Sequence, residues 1–153
     1  MADISELVIS LDLRSDLSSE DVAELLWQIG RGPAPTDEDR LSRGLVEVIE
    51  DESGEFVCTD PAPVLDQAGP AWKVDGVLGS SLEKTATGWH LASRQEVHPD
   101  LDETLEELFL WLSRYVESAT VAPDGSVEIA RLRWYEDPDF QPLVIRDDTV
   151  LWP

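Results

Sequence analysis

The chain has 153 residues, 33 of them acidic and 11 basic, so its formal charge is −22 at pH 7. The length of one ordinary domain and 42% hydrophobic residues predict a single hydrophobic core over residues 1–153 and argue against a disordered chain. With only two lysines and nine scattered arginines, the chain lacks the basic surface needed for direct nucleic-acid binding or for attachment to acidic lipids.

The first residues and the cysteine content bear on location. Residues 1–13 lack the basic and continuous apolar regions of a secretory signal, and no run approaches the ~20 apolar residues that span a membrane. Cys58 is the only cysteine, so an intramolecular disulfide is excluded, and a lone thiol is most often a small core residue. We therefore expect a cytoplasmic protein without membrane association.

A strand and a helix are predicted first in chain order. Apolar and polar residues alternate over 7–13, which is typical of a half-buried strand. Ser18 with Asp21 three residues later predicts the start of a helix over 19–29, and Gly30 predicts its end. The acids in the first turns of this helix complement the helix dipole, which is a structural role.

The middle of the chain, residues 31–70, is predicted to be an insertion or connector within the domain, because prolines and acids interrupt its apolar pattern. Two interpretations of its first part remain open. Residues 37–49 fit a helix with one apolar face, whereas 45–49 and 56–59 fit the strands of a hairpin around an acidic turn. Residues 60–70 are predicted to form a surface loop.

The second half predicts two strands, a helix and three more strands. In order, these cover 71–78, 89–97, 101–116, 126–135, 140–145 and 149–152. In the strand over 126–135 the apolar positions switch from Val127 and Ile129 to Leu132, which indicates a bulge or two covered faces. Since a strand followed by a helix occurs twice, we predict an α+β fold. It is a ferredoxin-like split βαβ duplication, an antiparallel sheet with two main helices on one face and an inserted middle segment.

Three stretches of sequence carry a resemblance to a known family. They are Asp-Leu-Ser-Ser-Glu-Asp-Val-Ala-Glu-Leu-Leu at 16–26, Gly-Trp-His-Leu-Ala-Ser-Arg at 88–94 and Asp-Leu-Asp-Glu at 100–103. Together they resemble the bacterial domain-of-unknown-function family 4279, over most of the chain but not over residues 32–70. The resemblance implies a duplicated α+β domain without an assigned reaction, so it supplies no catalytic residue.

No recognised catalytic or metal-binding pattern occurs in the sequence. His90, His98 and Cys58 lack the spacing of zinc motifs, and the isolated Gly76 and Gly79 do not form a phosphate-binding loop. With so many acids, carboxylate pairs arise by chance, so no pair can be assigned to acid/base catalysis. We expect a protein that is not an enzyme and that uses no metal and no cofactor.

Two acidic stretches predict surfaces for a basic protein partner. In residues 37–55 eight acids oppose two arginines, a local charge of −6, and Trp134 and Tyr135 precede a second acidic run. Trp27 and Trp111, which fall off the apolar stripes of their helices, are further aromatic candidates, because aromatic residues anchor interfaces while charges steer encounter. The predicted partner-binding residues are Asp37, Glu38, Asp39, Glu50, Asp51, Glu52, Glu55, Trp134, Tyr135, Glu136, Asp137 and Asp139.

The leading hypothesis is a non-catalytic acidic protein that neutralises a basic protein, most concretely an immunity protein that inhibits a toxin, or a DNA mimic that blocks a nuclease. The alternative is a small-ligand sensor or an unrecognised enzyme with a pocket near Trp89, Ser93 and Arg94, where Arg94 holds an anion. Self-association through an exposed edge strand is a third hypothesis, which the repulsion between like-charged copies opposes.

Overall fold

The computed structural model describes residues 3–153, which form nine strands and three α-helices. In chain order these are β1 (Ser5–Arg14), α1 (Ser19–Gln28), α2 (Glu38–Leu41), β2 (Val48–Glu50), β3 (Phe56–Cys58), β4 (Gly69–Pro70), β5 (Val77–Lys84), β6 (Gly88–Val97), α3 (Asp102–Ser113), β7 (Val127–Trp134), β8 (Gln141–Arg146) and β9 (Thr149–Leu151). None of the helices in this range is both long and apolar enough to cross a lipid bilayer.

Seven strands form one sheet, in which every neighbouring pair is antiparallel. Their order is β4-β5-β6-β1-β7-β8-β9, while β2 and β3 pair only with each other. The predicted α+β class with an antiparallel sheet is therefore confirmed. The short strands predicted at 140–145 and 149–152 are also present, as β8 and β9.

The alternation within β1 determines which face of the sheet is covered. Its residues Leu7, Ile9, Leu11 and Leu13 are at most 1% exposed. They belong to one core cluster with Leu25 of α1 and with several residues of α3, so both long helices lie on this face. The opposite face, here called the open face, carries the intervening residues of β1, which include the exposed Ser10 and Asp12.

The apolar switch in β7 is a β-bulge. The pairing of β7 with β8 shifts between Glu128 and Ala130, so two consecutive residues, Ile129 and Ala130, are both buried. Beyond the shift Leu132 pairs with Leu7 of β1 and lies on the covered face. An extra residue in one strand restores the apolar side to the core, which is the first of the two alternatives that the sequence indicated.

The strand predicted over 71–78 begins later than expected. Only residues from Val77 onward belong to β5, and 71–76 form a loop. The Glu96 carboxylate accepts hydrogen bonds from the backbone N–H groups of Trp72 and Lys73, which takes the place of strand pairing there. The strand prediction was wrong for these residues because a distant side chain satisfies their backbone.

The helix α1 has the predicted beginning and end. Ser18 and Asp21 form a capping box, each side chain accepting from the other residue's backbone N–H at 3.1 Å, and Gly30 follows with φ of 77°. Trp27 and Trp111 are buried, so neither can serve as the interface anchor for which the sequence made them candidates. The middle segment covers them: a Cβ added at Gly44 would lie 2.6 Å from the Trp27 ring.

Both interpretations of the middle segment are partly confirmed. A four-residue helix, α2, is followed by the β2–β3 hairpin. Its turn is closed by the Asp51 carboxylate, which accepts from the backbone N–H groups of Ser53 and Glu55, each at 2.9 Å. Cys58 lies on this hairpin and is exposed, so the expectation of a core thiol was wrong. The hairpin has no second layer that could bury it.

A paired glycine test probes the contact between β1 and β6. A Cβ at Gly88 would lie 2.0 Å from the carbonyl oxygen of Leu13, whereas a Cβ at Gly79 meets no atom within 4 Å. We expect Gly88→Ala to lower the free energy of unfolding by about 1–3 kcal/mol, since the backbone must move. Gly79→Ala is the matched control and should not destabilise the fold. Urea denaturation measures both, and equal stabilities would contradict this strand contact.

Candidate protein-binding surfaces

The β2–β3 hairpin and its flanks form a projection that we call the acidic arm, residues 45–62. Its base is closed by two backbone hydrogen bonds between Leu45 and Ala62, at 2.7 and 2.9 Å. Apolar side chains are exposed on both of its faces, with Val48 at 66% and Phe56 at 76% on one face and Ile49 on the other. Exposed apolar patches rimmed by polar residues are one feature of protein interaction sites.

The charge of the acidic arm has one sign. Residues 45–62 contain six acids and neither lysine nor arginine. All six are exposed: Glu47, Glu50, Asp51, Glu52, Glu55 and Asp60. Hydrogen bonds from the Ser53 hydroxyl and the Glu55 backbone lower the pKa of Asp51 below its usual 3.8, so this carboxylate stays ionised in mild acid. The arm thus combines apolar side chains with a dense negative charge.

The two arginines of the acidic stretch turn inward. Arg43 donates to both oxygens of Glu24, at 2.7 and 2.8 Å, and this carboxylate is completely buried on α1. Arg40 donates to Asp21 at 2.9 Å. Arg40 also lies within 4.0 Å of the exposed carboxylates of Glu20 and Asp37. In the described part of the chain, neither arginine pairs with an acid of the acidic arm, whose negative charge is therefore not offset by these two side chains.

Burial and the contacts around Arg40 shift the pKa values of Asp21 and Tyr115. Burial by itself raises the pKa of Asp21, but hydrogen bonds from Arg40 and Ser18 outweigh it, and the pKa lies below the usual 3.8. Burial and the nearby charge of Asp21 raise the pKa of Tyr115 above 10.0. Asp21 is therefore ionised at neutral pH and remains paired with Arg40.

A buried glutamine fixes the base of the acidic arm. Gln28, at the end of α1, is fully buried and uses both ends of its amide. It donates to the Arg43 carbonyl oxygen at 2.8 Å and accepts from the Val64 backbone N–H at 3.0 Å. The chain entering the arm and the chain leaving it are thereby tied to one helix.

The first three predicted acids lie away from the hairpin. Asp37, Glu38 and Asp39 are exposed around the start of α2, and the Asp37 carboxylate accepts from the Asp39 backbone N–H at 3.0 Å. Arg40 and the first turns of α1 line a cleft of about 310 Å³ beside Asp37. These acids enlarge the negative surface but have no exposed large apolar neighbour.

The second predicted surface contains an aromatic pair. The Trp134 and Tyr135 rings pack edge to face with centroids 5.1 Å apart. The acids that follow are exposed, namely Glu136, Asp137 and Asp139. The structure adds a residue that the sequence analysis missed, Trp72, which is 72% exposed. The neighbouring Pro70 and Gly76 are loop signals that could have moved this tryptophan out of the predicted strand.

No hydrogen bond or ion pair among residues 3–153 joins the acidic arm to the segment 134–139. The two predicted partner-binding stretches are thus separate surfaces of one domain. The arm holds Glu50, Asp51, Glu52 and Glu55 from the predicted set. The second surface holds the five residues from Trp134 to Asp139 that were predicted.

The alternative ligand site is divided between the two faces of the sheet. Trp89 and Ser93 lie on the covered face, and Arg94 lies on the open face. Arg94 donates to the Glu6 carboxylate at 3.1 and 3.2 Å and to the Val77 carbonyl at 3.1 Å. An anion would therefore have to compete with Glu6 for this guanidinium.

Chemical groups elsewhere are engaged in local contacts. The Nδ1 atom of His90 lies 2.8 Å from a carboxylate oxygen of Asp12. Burial, with a smaller effect from the charge of Glu106, raises the pKa of Asp102. Among residues 3–153, no group of three histidine, cysteine or acidic side chains could hold a metal ion. The two acidic surfaces are therefore the candidate sites.

Comparison with family models, with curated proteins and with solved structures gave no match. The resemblance to family 4279 therefore stays a prediction. The function has to be inferred from the contacts, exposure and charge of the surfaces described above.

The buried pair between Arg43 and Glu24 gives a stability test. Arg43→Met leaves a completely buried carboxylate without its bidentate partner, so we expect the free energy of unfolding to fall by about 3 kcal/mol. Arg131→Met is the control, because Arg131 and Glu128 form an exposed pair, and it should change stability by less than about 1 kcal/mol. Chemical denaturation of both variants checks this, and equal losses would contradict the buried pair.

The lowered pKa of Asp21 predicts how pH affects stability. The carboxylate is easier to ionise in the folded state, so its contribution is complete above pH 3.8 and is lost as pH falls through the lowered pKa. Arg40→Gln should therefore reduce the free energy of unfolding most at neutral pH, and by progressively less as the pH falls below 3.8 and through the lowered pKa. Unfolding curves of both proteins across this range measure the difference, and a loss that does not change with pH would contradict the pairing.

Proposed function

We propose that this protein is a non-catalytic acidic binding protein that neutralises a basic protein partner. One observation carries the proposal: the acidic arm exposes Val48, Ile49 and Phe56 beside six carboxylates and has no basic residue. A two-stranded hairpin is only marginally stable alone, and this one has apolar groups on both faces in water. A partner that covers these groups would stabilise the arm.

The charge of the arm selects the kind of partner. Acidic surfaces attract basic proteins and can raise the association rate towards ~10⁸ M⁻¹s⁻¹ at low salt. A second copy of the chain carries the same net charge of −22, so electrostatic repulsion opposes self-association. A basic protein with an apolar groove is the complementary partner.

The most concrete form of this proposal is a cytoplasmic immunity protein that inhibits a toxin. Fast, electrostatically steered capture suits a protein that must block a toxin before it acts. In a related form the exposed acids imitate the phosphates of DNA and cover the substrate-binding surface of a nuclease. The exposed thiol of Cys58 agrees with a reducing compartment, where free cysteines persist.

We also infer a ferredoxin-like core within the sheet. The elements β1, α1, β5, β6, α3 and β7 follow in the order strand, helix, strand, strand, helix, strand, and the four strands lie side by side as β5-β6-β1-β7. That arrangement supports the split βαβ duplication. In this interpretation β4, β8 and β9 extend the sheet, and the acidic arm belongs to an insertion between α1 and β5.

The small-ligand alternative has weaker support. The open face has a shallow depression whose lining includes Val8, Ser10, Ser93 and Arg94, but Trp89 does not border it. Arg94 is already paired with a carboxylate in that region. Binding of a protein to the arm requires no such displacement.

The proposal is tested with a purified protein of net positive charge, chosen from the products of the neighbouring genes. Glu50→Gln, Glu52→Gln and Glu55→Gln together remove three charges from the acidic arm and leave Asp51 to close its turn. The association rate should fall on the order of tenfold at about 50 mM salt and much less at about 300 mM. Stopped-flow fluorescence measures these rates.

The matched control removes the same number of charges elsewhere. Glu83, Glu103 and Glu107 are exposed, and their replacement by glutamine should slow association less than the arm variant does. Phe56→Ser should instead raise the dissociation rate, since an apolar anchor is lost. The proposal fails if binding does not depend on salt, if both triple variants behave alike, or if the purified protein turns over a substrate.

A further inference from the structure

The two loops that carry the exposed aromatic residues are braced by one carboxylate. Glu6 lies on the open face and is only 3% exposed. One of its oxygens accepts from Arg94 at 3.1 and 3.2 Å, and the other accepts from Arg133 at 3.0 and 3.1 Å. Glu6 therefore lies between the two arginines and pairs with both.

Each of these arginines extends to a different loop. Arg94 donates to the carbonyl oxygen of Asp75, in the loop that carries Trp72, and to that of Val77, at the start of β5. Arg133 donates to the carbonyl oxygen of Asp137 at 2.9 Å, in the loop that follows Tyr135. Glu6 thus holds both loops at the same end of the sheet.

A second carboxylate orients the first loop directly. Glu96 is largely buried and accepts from the backbone N–H of Lys73 at 2.7 Å and from that of Trp72. The backbone beneath the Trp72 side chain is therefore fixed, while the ring itself is 72% exposed. An aromatic side chain that is held in place before binding loses little freedom when a partner covers it.

Two aromatic rings lie next to a lysine side chain of the same protein. The Lys73 ammonium lies 4.7 Å from the centre of the Trp72 ring and 5.6 Å from the centre of the Tyr135 ring. Trp134 packs edge-on against Tyr135. We call these four residues the aromatic notch. Both distances are within the range in which a cation is attracted to a ring face.

Carboxylates border the aromatic notch without neutralising Lys73. Glu136, which follows Tyr135 in the chain, is exposed, and a hydrogen bond with it raises the pKa of Tyr135. Within residues 3–153, Lys73 makes no ion pair at 4.0 Å or less. Its ammonium is exposed and held mainly by the rings, so it can move out of the notch.

We propose that the aromatic notch binds an arginine side chain of a basic partner protein, which takes the position occupied by the Lys73 ammonium. This inference rests on the proposed function and names a second contact for the same partner. A guanidinium stacks on aromatic faces better than an ammonium does and is less strongly hydrated. The acids around the notch favour a cation, and the negative field of the domain disfavours an anionic ligand.

The probe for this proposal is N-acetyl-arginine amide, and N-acetyl-citrulline amide is its uncharged counterpart. Binding is followed by NMR through the indole N–H signals of the six tryptophans. The arginine probe should shift the signals of Trp72 and Trp134 and leave those of the buried Trp27 and Trp111 in place. Trp72→Ala, which changes an exposed side chain, should abolish the Trp134 shift.

Removal of the competing cation gives a sharper test. Lys73→Ala should tighten binding of the arginine probe at the notch about two- to fivefold, because one exposed cation–ring contact no longer competes. Lys84→Ala is the matched control: it changes the net charge equally and removes an ammonium that lies 5.8 Å from the Trp89 ring. It should leave the notch affinity near that of the unaltered protein.

The proposal is overturned if the citrulline probe shifts the same signals, if Trp72→Ala has no effect, or if the two lysine variants behave alike. The outcome is independent of the rate measurements on the acidic arm. Loss of notch binding together with intact arm-dependent capture of the basic protein would overturn only the notch. Intact notch binding without any salt-dependent capture would overturn only the proposed function.

Discussion

The position of the acidic arm depends on a carboxylate that α1 buries. Glu24 is completely covered, and both of its oxygens are bound by the guanidinium of Arg43, just before the arm begins. A buried charge depends on its partner. Removing one member of such a pair leaves an uncompensated buried charge, which destabilises the fold far more than replacing both members by apolar residues. Gln28, on the next turn of the helix, adds hydrogen bonds to both ends of the arm's base. One helix thereby determines where the projection starts.

The same use of basic residues recurs at the sheet. Arg94 and Arg133 pair with Glu6, as Arg40 and Arg43 pair with acids of α1. Four of the nine arginines are thus engaged with largely buried carboxylates. Their charges hold the insertion and the loops in position, and most of the acids remain in solvent. These pairs stabilise the domain. Because they engage arginine charges with buried carboxylates, they also leave the outer surface more negative.

Local patterns in the sequence predicted much of the fold. The alternation in β1, the capping box of α1 and the apolar switch in β7 each involve residues close together in the chain, so their physical causes are visible there. The two surfaces depend on distant pairs. Arg133 of β7 pairs with Glu6 on the neighbouring strand β1. Because the chain has 33 acids, the charge pattern could not identify Glu6 as that partner. The exposure of Trp72 depends in the same way on Glu96.

Hydrogen bonds attach the acidic arm to the domain at its base. The core cluster contains residues of the sheet and the long helices but none from the tip of the arm, so side chains there can be replaced without disturbing the interior. Under the proposed function, natural selection can alter the hairpin to match a changing partner while the rest of the domain stays constant. A lineage of such proteins would then diverge fastest between Val48 and Cys58 and slowest at Glu24 and Gln28.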